Sequence, residues 1–362
     1  MDKPWLARYP EAVPAEIDLS TYNSILDIFD ESLEAYSDRD AYMNFGKSLS
    51  FEKWGRESRD FAAYLQSLGL QKGDRIALML PNILQYPVAI MGALRAGLVV
   101  VNTNPMYTPR ELRHQLTDSG ARAIVIIENF ANVLEKVRDE VPVEHVITTR
   151  IGDMLGFPKG TLINFVLKHV KKAVPAFNLP GAVSFSEALR EGSRHQLLQV
   201  ENSLDDIAFL QYTGGTTGVA KGAMLTHRNL VANMLQAKAW IGSADLGDDV
   251  EYVVSALPLY HIFALTANCL AFMAMGGVNV LITNPRDAEG FVKELGKIPF
   301  SFFPGVNTLF NMLLNTPGFA ELDFSHLKAA LGGGMAVQRA VAERWLEVTG
   351  ARLIEAYGLT ET

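Results

Sequence analysis

The chain has 362 residues, enough for two or more packed units, and its composition is that of a globular protein. Hydrophobic residues make up 49% and charged residues 20%, which excludes a disordered chain, and the net charge of -8 argues against a nucleic-acid partner. The single cysteine, Cys269, excludes an internal disulfide framework and fits a reducing cytosol. Residues 1–9 contain no apolar run of the signal-peptide kind.

Short apolar segments alternate with amphipathic segments from residue 75 onward, a pattern typical of an α/β fold with mainly parallel strands. In the first half we predict strands at 75–80, 98–102, 123–127 and 145–149, and helices at 84–96, 108–118 and 130–140. In the second half we predict strands at 207–212, 252–257, 278–283, 300–303, 328–331 and 352–356, and helices at 226–240, 261–275, 287–296, 306–315 and 337–348.

Two segments leave a membrane interpretation open. Residues 252–282 contain no charged side chain, which on length alone could span a bilayer. Pro258, His261 and the pair Gly276-Gly277 divide this stretch into shorter pieces, so we favour a buried strand, helix and strand. Residues 153–180 combine lysines with apolar residues, and we favour a connecting helix with solvated lysines over a helix lying on an anionic membrane surface.

The strongest local motif is a loop rich in glycine and threonine. It runs through Tyr212-Thr213-Gly214-Gly215-Thr216-Thr217-Gly218-Val219-Ala220-Lys221-Gly222, after a predicted strand and before a helix that Thr226 could cap. Glycines allow close backbone approach, and free N–H groups, hydroxyls and one lysine can bind a polyanion. The spacing differs from a Walker A loop, because two residues separate Gly218 from Lys221. No Gly-x-Gly-x-x-Gly follows the first strand, so a dinucleotide site has little support.

Further motifs follow in a fixed order, and together they resemble the adenylate-forming superfamily. They are Leu257-Pro258-Leu259-Tyr260-His261, the glycine run Gly332-Gly333-Gly334, and Tyr357-Gly358-Leu359-Thr360-Glu361. The wider sequence, including Tyr107-Thr108-Pro109-Arg110-Glu111-Leu112 and Thr283-Asn284-Pro285-Arg286-Asp287, is similar to bacterial long-chain fatty-acid CoA ligases. The resemblance implies that a carboxylate attacks the α-phosphate of ATP to give an acyl-adenylate, and that the thiol of CoA then displaces AMP.

The resemblance also implies roles for individual residues. His261 would orient the carboxylate, Thr360 would donate to the α-phosphate, Glu361 would coordinate Mg²⁺ together with Thr213, and Tyr357 would stack on adenine. The remaining ATP contacts would come from Thr213, Gly214, Gly215, Thr216, Thr217, Gly218, Lys221, Gly333, Gly334, Glu355, Ala356 and Gly358. An acyl site would be lined by His261, Phe263, Val306, Phe310, Leu331 and Gly332, although ordinary core packing is an equal explanation of the apolar members. Leu265 stands where some long-chain enzymes carry a tryptophan gate.

The implied fold is two stacked αβα subdomains with mainly parallel sheets. The first would combine residues 1–72 with 227–362 and hold the acyl and adenine sites, and the second would span 73–226 and end in the phosphate loop. Since family members continue beyond the last motif, we expect a β-barrel subdomain and a mobile C-terminal domain to be missing, and little ligase activity from this chain alone. Two alternatives are an adenylating enzyme for another carboxylate and a nucleotide- or fatty-acid-binding module.

The expected partners are fatty acid, ATP and CoA, with Mg²⁺ as cofactor and without nucleic acid. The expected location is the cytoplasm. Peripheral contact with the cytoplasmic face of the inner membrane and a homodimer are options that the sequence leaves open.

Overall fold

The computed structural model describes residues 3–214, 219–243 and 249–361, and its strands form two sheets of seven strands each. The strands are β1 (Asp40–Asn44), β2 (Lys47–Ser50), β3 (Arg75–Met79), β4 (Val99–Asn102), β5 (Ala121–Ile127), β6 (His145–Thr149), β7 (Val183–Ser184), β8 (Ile207–Thr213), β9 (Lys221–Thr226), β10 (Tyr252–Ser255), β11 (Val278–Leu281), β12 (Phe302–Gly305), β13 (Ala329–Gly332) and β14 (Leu353–Glu355). This architecture confirms the predicted α/β class with mainly parallel sheets.

Helices connect most of these strands. They are α1 (Ile25–Ala35), α2 (Phe51–Ser67), α3 (Gln85–Arg95), α4 (Pro109–Ser119), α5 (Ala131–Glu135), α6 (Lys159–Phe165), α7 (Phe185–Gly192), α8 (His227–Gly242), α9 (Ile262–Ala264), α10 (Ala271–Met273), α11 (Ala288–Leu295), α12 (Asn307–Leu314) and α13 (Arg339–Thr349). A π-helical segment, Val166–Val170, continues α6, and another, Leu265–Leu270, joins α9 to α10. Short 3-10 turns lie at Pro4–Arg8, Glu128–Phe130 and Arg138–Glu140.

The first sheet has the strand order β14-β13-β12-β10-β11-β1-β2, with only β1 and β2 antiparallel. Strand β10 has β11 on one side and β12 on the other, so the chain reverses its direction of travel across the sheet at β10. In open α/β sheets, ligands bind beyond the carboxyl ends of strands at such a switch point. The fold therefore marks the segments after β10 and β12 as a candidate crevice.

The second sheet has the order β7-β6-β5-β3-β4-β8-β9 and is parallel except for the last pair. Its own switch point is β3, which has β4 on one side and β5 on the other. Strands β8 and β9 form an antiparallel hairpin at the edge, with Thr213 opposite Lys221. The glycine- and threonine-rich loop therefore caps a β-hairpin at the edge of this sheet.

Helix α2 packs against α3 and α7, which lie within residues 73–226 of the predicted second subdomain. The indole N–H of Trp54 donates to the carbonyl of Pro87 at 2.9 Å, and the rings of Phe61 and Phe185 lie 4.9 Å apart. One large apolar cluster includes side chains from both sheets and from α2. The domain boundaries given above, with 1–72 in the first subdomain, therefore stay a prediction.

Several predicted elements differ from the structure at their ends, and two further differences concern a helix length and the connection after the phosphate loop. The helix predicted at 130–140 is wrong in length, since only Ala131–Glu135 is α-helical and Arg138–Glu140 forms a 3-10 turn before Pro142. The phosphate loop does not lead directly into a helix, because β9 intervenes. Thr226 nevertheless caps α8 as predicted, since its hydroxyl accepts from the N–H of Asn229 at 3.3 Å.

Residues 252–282 form β10, the helical run from α9 to α10, and β11. In the parts of the chain that the structure describes, we find no helix with the length and apolar character needed to cross a bilayer. The buried amide of Asn268, within the π-helical segment, donates to the carbonyl of Val254 and to the hydroxyl of Ser255. This apolar helix is therefore fixed to β10 by hydrogen bonds as well as by packing.

We predict that His227, at the start of α8, makes the fold less stable in acid. Its imidazole is buried and its Nδ1 accepts the N–H of Ile25, and burial lowers its pKa to about 4. Between the usual pKa near 6.5 and the folded pKa near 4, the unfolded chain binds a proton that the folded chain excludes. The free energy of unfolding should therefore fall by about 2 kcal/mol from neutral pH to about pH 5.

Urea unfolding of the wild type and of His227→Asn at both pH values tests this prediction. Asparagine can replace the Nδ1 acceptor but does not titrate, so the variant should lose less stability on acidification. An equal loss in both proteins would contradict the assignment.

Candidate active site

The carboxyl edge of the first sheet gathers most of the residues that the sequence motifs select. His261 follows β10, Val306 follows β12 and Gly333 follows β13, while the motif with Tyr357 and Glu361 follows β14. Because β10, β12, β13 and β14 are parallel and lie side by side in the sheet, their carboxyl ends meet at one edge. The sheet thus brings together segments that are about 100 residues apart in the sequence.

The glycine run packs against the segment that begins at His261. The N–H of Gly333 donates to the carbonyl of Gly305 at 3.1 Å, and the N–H of Ala356 donates to Gly332 at 2.7 Å. A Cβ atom at Gly333 would lie 2.9 Å from the ring of Phe263, and Gly334 adopts a φ of 74° beside Val306. Only glycine allows this approach without displacing the ring, so the run is shaped by close contact as well as by its turn.

His261 is the N-cap of helix α9. Its Nδ1 accepts the N–H of Phe263 at 3.4 Å, a weak bond that assigns the hydrogen of the neutral ring to Nε2. Burial lowers the pKa of His261, which favours this neutral form at physiological pH. The ring is still exposed on one side. His261 can therefore donate a hydrogen bond from Nε2–H to a ligand in the crevice, and this role requires no proton transfer.

Asn82 fixes the loop that leads to His261. It follows β3, the switch-point strand of the second sheet, and its side chain is buried. Its Nδ2 donates to the carbonyls of Ser255 and Leu257 at 2.8 Å each, and its Oδ1 accepts the N–H of Leu259 at 2.9 Å. One amide therefore joins the switch points of the two sheets.

The hairpin of β8 and β9, here called the phosphate hairpin after the role predicted for its loop, carries the residues that we predict to bind the anion. Thr213 and Lys221 are paired at the end of the hairpin that adjoins the loop, and Gly214 is exposed. Gly215, Thr216, Thr217 and Gly218 lie outside the described residues. His114 Nε2 lies 2.9 Å from the carbonyl of Ala220, so helix α4 holds the second arm of the loop. The Tyr212 ring covers Gly222, where a Cβ would come within 2.9 Å.

A buried chain of polar side chains connects this hairpin to the His261 segment. Tyr86 donates to the Oδ1 of Asn102 at 2.6 Å, and Asn102 donates to the Oε1 of Gln211 at 3.0 Å. The Nε2 of Gln211, on β8, donates in turn to the carbonyl of Tyr260. Gln211, two residues before the end of β8, is therefore hydrogen-bonded to Tyr260, the residue before His261. The two residues lie in or after strands of different sheets.

The motif after β14 lies open to solvent. Tyr357 is 91% exposed, so it is not the core aromatic that a strand end could have carried. Glu355, Gly358 and Glu361 are exposed, whereas Ala356 and Thr360 are half-buried. Among residues 3–214, 219–243 and 249–361, no three His, Cys, Asp or Glu side chains are grouped closely enough to hold a metal ion.

The predicted acyl residues fall into two groups. Phe263, Val306 and Leu331 are half-buried around the glycine run. Phe310 is fully buried below Gly305 and Gly332 and packs on Trp345, with ring centroids 4.8 Å apart. Leu265 is also fully buried. Phe310 supports the floor of the crevice from the core in this structure, while the first group lies nearer the surface.

The sequence analysis did not select Asn82, Gln211, Asn102, Tyr86 or His114. The one available signal is a polar residue at the carboxyl end of an apolar strand, as Asn102 and Gln211 are. Polar residues at strand ends are common and do not by themselves indicate a site. The hydrogen-bond partners of these five residues are mostly backbone carbonyls and side-chain amides. Only the tertiary structure reveals that they join the two sheets.

The matched region of the family model decides the classification. The model of the AMP-binding enzymes matches residues 29–362. The chain belongs to the AMP-binding enzyme family. Over 362 residues it is 60% identical to the long-chain-fatty-acid–CoA ligase of Escherichia coli O157:H7, and over 364 residues it is 57% identical to that of Haemophilus influenzae. All of this chain is aligned in both comparisons, and it spans 64% and 65% of the length of these two relatives.

A solved structure has the same fold. It is a long-chain-fatty-acid-CoA ligase from Archaeoglobus fulgidus, with a TM-score of 0.75 and 25% identity. The superposition covers 94% of this chain and 64% of that one. The family resemblance inferred from the motifs is therefore confirmed, as is the two-sheet fold.

Because Gln211 joins the hairpin to the His261 segment, we predict a measurable cost for its replacement. Gln211→Leu would leave the Asn102 amide and the Tyr260 carbonyl without their partner and should lower the free energy of unfolding by about 2 kcal/mol. Gln211→Glu retains the acceptor for Asn102 but brings a buried carboxylate oxygen against the carbonyl of Tyr260, so it should also be destabilising. Urea unfolding measures the effect, and unchanged stability in Gln211→Leu would argue against the connection.

Proposed function

We propose that the protein activates long-chain fatty acids in two steps, as an AMP-forming CoA ligase. The observation that best supports this proposal is the hydrogen bond from Gln211, in the phosphate hairpin, to the carbonyl of Tyr260, next to His261. This link supports a single crevice in which a carboxylate and a triphosphate meet. The 60% identity to a bacterial long-chain ligase over the full chain supports the choice of substrate.

In the first step, a carboxylate oxygen of the fatty acid attacks the α-phosphorus of ATP. The bond between that phosphorus and the bridging oxygen of pyrophosphate breaks, and pyrophosphate leaves with the electron pair. In the second step, the sulfur of CoA attacks the acyl carbon, AMP leaves, and the thiol proton is lost to solvent. The carboxylate is a weak nucleophile and pyrophosphate is a highly charged leaving group. The protein can therefore accelerate the reaction mainly by aligning the reactants and neutralising charge.

The proposed contacts follow the motifs. Thr213, Gly214, Lys221 and the loop between them bind the β- and γ-phosphates. Thr360 donates to the α-phosphate, Tyr357 stacks on adenine, and the backbone of Glu355, Ala356 and Gly358 borders the base. Gly333 and Gly334 allow the nucleotide to approach the sheet edge. The high exposure of Tyr357 supports its part, because an adenine ring would cover an otherwise open aromatic face.

Mg²⁺ fits the chemistry of the donors in this proposal. Glu361 offers a carboxylate and Thr213 a hydroxyl, both hard oxygen ligands, and Mg²⁺ commonly takes one or two protein ligands together with substrate phosphates. The absence of a larger acidic cluster among the described residues is compatible with that mode. When bound, the ion would neutralise charge on the phosphates, and Glu361 would hold it at the end of the β14 motif.

His261 has a positioning role in this proposal. Its Nε2–H donates to one oxygen of the fatty-acid carboxylate and leaves the other oxygen free for attack. The acyl chain extends along Phe263, Val306, Leu331 and Gly332, with Phe310 as the packed layer beneath. The half-buried apolar side chains around Gly333 support this direction for the chain.

Exchange of labelled pyrophosphate into ATP tests the reaction and the substrate together. With the protein at the full length of its ligase relatives, exchange should depend on palmitate and proceed much more slowly with benzoate or anthranilate. Exchange driven best by an aryl acid would favour the alternative of another adenylating enzyme. Binding of ATP and palmitate without exchange under any acid would favour a binding module.

We further propose that the protein works in the cytoplasm and meets its water-insoluble substrate at the inner surface of the membrane. Fatty acids partition into bilayers, so a peripheral contact would shorten the path to the crevice. A homodimer stays a prediction that sedimentation velocity can test.

A further inference from the structure

One surface of the predicted second subdomain has a charge opposite to that of the whole chain. Residues 154–186 contain four lysines and no aspartate or glutamate, although the chain carries a net charge of -8. The ammonium group of Lys159 donates a hydrogen bond to the carbonyl of Phe45, whereas Lys168, Lys171 and Lys172 are exposed. The last three lysines therefore form a local cationic cluster on an acidic protein.

Large apolar side chains lie in the same segment and face solvent. Phe157 is 90% exposed, Leu162 62%, Phe165 56% and Val170 67%. These four residues, together with Lys168, Lys171 and Lys172, are here called the basic apolar patch. Single exposed apolar residues are ordinary, but four within one short segment beside three lysines mark a candidate interaction surface.

The opposite side of this segment is firmly held. The backbones of Gly152 and Gly160 approach so closely that a Cβ at Gly160 would lie 2.1 Å from the carbonyl oxygen of Gly152. Asn164 accepts the N–H of Gly152 at 2.8 Å and donates to Asp153 at 3.0 Å. Asn129 donates to the carbonyl of Ala173 at 2.9 Å. The helical segment is thus anchored through its inner face, and the exposure of its outer face is not that of a loose chain end.

The chemistry of the patch selects one kind of partner. A nucleic acid would pair with the lysines but not with four exposed aliphatic and phenyl groups. A second copy packed patch to patch would bring the lysine clusters against each other. The surface of an anionic bilayer accepts both features, since apolar side chains enter the boundary below the head groups while lysines remain at the level of the phosphates.

We propose that the basic apolar patch is the surface by which this protein docks on anionic lipid bilayers. This inference extends the membrane contact proposed above to particular residues, and it does not depend on the ligase chemistry. Phe157, Leu162 and Phe165 enter the bilayer boundary, and Lys168, Lys171 and Lys172 neutralise lipid phosphates. The proposed substrate is itself an amphiphile that partitions into the same boundary.

Co-sedimentation with vesicles tests the proposal on the 362-residue chain. The wild type should bind vesicles of phosphatidylcholine containing phosphatidylglycerol and bind pure phosphatidylcholine weakly, and added salt should release it. The triple variant K168Q/K171Q/K172Q should bind the anionic vesicles about 100-fold more weakly, since each lysine near such a surface contributes about fivefold. The variant F157S/L162S/F165S should lose at least about tenfold on the same vesicles.

Matched controls use exposed residues elsewhere. K136Q/K238Q/K293Q removes the same charge, and W5S/L198S/L346S removes similar exposed apolar area, so both should bind as the wild type does. Equal binding of the wild type to both vesicle types, or wild-type binding by both patch variants, would overturn the proposal. Wild-type dimers that dissociate in the patch variants, without vesicle binding by any form, would assign the patch to a second copy instead.

The outcome is separable from that of the ligase proposal. Vesicle binding needs no ATP or CoA, and pyrophosphate exchange can be measured with short, soluble fatty acids in the absence of lipid. Loss of vesicle binding with normal exchange on soluble acids in the patch variants is the result we expect. Loss of both in the patch variants would mean that the substitutions disturb the fold.

Discussion

Replacing His261 by alanine should lower the rate of fatty-acid adenylation about 100-fold while changing the Kd for ATP by less than about threefold. The reason is geometric. The Nδ1 of His261 accepts the N–H of Phe263, so the hydrogen of the neutral ring is on Nε2, where it can serve as a donor for the carboxylate. ATP is expected to contact other residues, so its affinity should survive. Pyrophosphate release at the full length of the ligase relatives gives the rate, and calorimetry gives the ATP affinity.

Two conservative variants separate the contributions of His261. Asparagine can replace the Nδ1 acceptor that caps α9 but does not reach the carboxylate, so His261→Asn should fold as the wild type does and remain slow. Glutamine can place an amide N–H near the Nε2 position, so His261→Gln should recover part of the rate. Normal pyrophosphate release by His261→Ala would remove His261 from the reaction. Since burial keeps its pKa below the usual 6.5, ring protonation should lower the rate only at acidic pH.

Replacing Asn82 by alanine should lower the free energy of unfolding by about 3 kcal/mol. The change leaves the carbonyls of Ser255 and Leu257 and the N–H of Leu259 without their partner at a buried position. Because the same loop ends at His261, adenylation should also slow by about tenfold or more in protein that remains folded. Urea unfolding measures the first effect and pyrophosphate release the second.

Asn178→Ala is a matched control for this prediction. Asn178 is exposed, so the same change of side chain should alter stability by less than about 0.5 kcal/mol. Asn82→Asp retains an acceptor for Leu259 but brings an oxygen against two carbonyls, and it should be at least as damaging as alanine. Wild-type stability of Asn82→Ala would mean that other contacts determine the loop.

The sequence predicts strands β3, β4, β5, β6 and β8 of the second sheet well because their signals are local. Strand His145–Thr149 matches its prediction at both ends, and the strand that starts at Arg75 differs by one residue at its end. A strand that is buried on both faces has a nearly continuous apolar sequence, which makes it easy to recognise. Thr226 could be selected as a cap because the capping pattern lies within four residues.

The rest of the fold depends on distant pairing that no local pattern specifies. Strand β1 pairs with β11, so Met43 lies beside Val280, and the register is set by the assembled sheet. Strand β9 was missed because Lys221 and Gly222 belong to the loop motif and leave a very short apolar run before α8. Its pairing with β8, which local sequence does not predict, supplies its hydrogen bonds.

The candidate site divides in the same way. Motif spacing selects His261, Lys221 and Tyr357, since these residue types recur in an ordered pattern that the family shares. It does not select Asn82 or Gln211, whose partners are backbone carbonyls of another segment. Phe310 is fully buried and packs in the core, so its part in an acyl site stays a prediction.

We propose that the phosphate hairpin, His261 and the Tyr357 motif surround one crevice that binds an acyl-adenylate. This crevice can be tested by calorimetric titration of the 362-residue chain with palmitoyl-sulfamoyl-adenosine, a stable analogue of that intermediate. We predict binding at least about 100-fold tighter than that of AMP or palmitate alone, and loss of most of this advantage in His261→Asn. Affinity equal to that of AMP, or binding of the analogue unaffected by saturating AMP, would contradict a shared crevice.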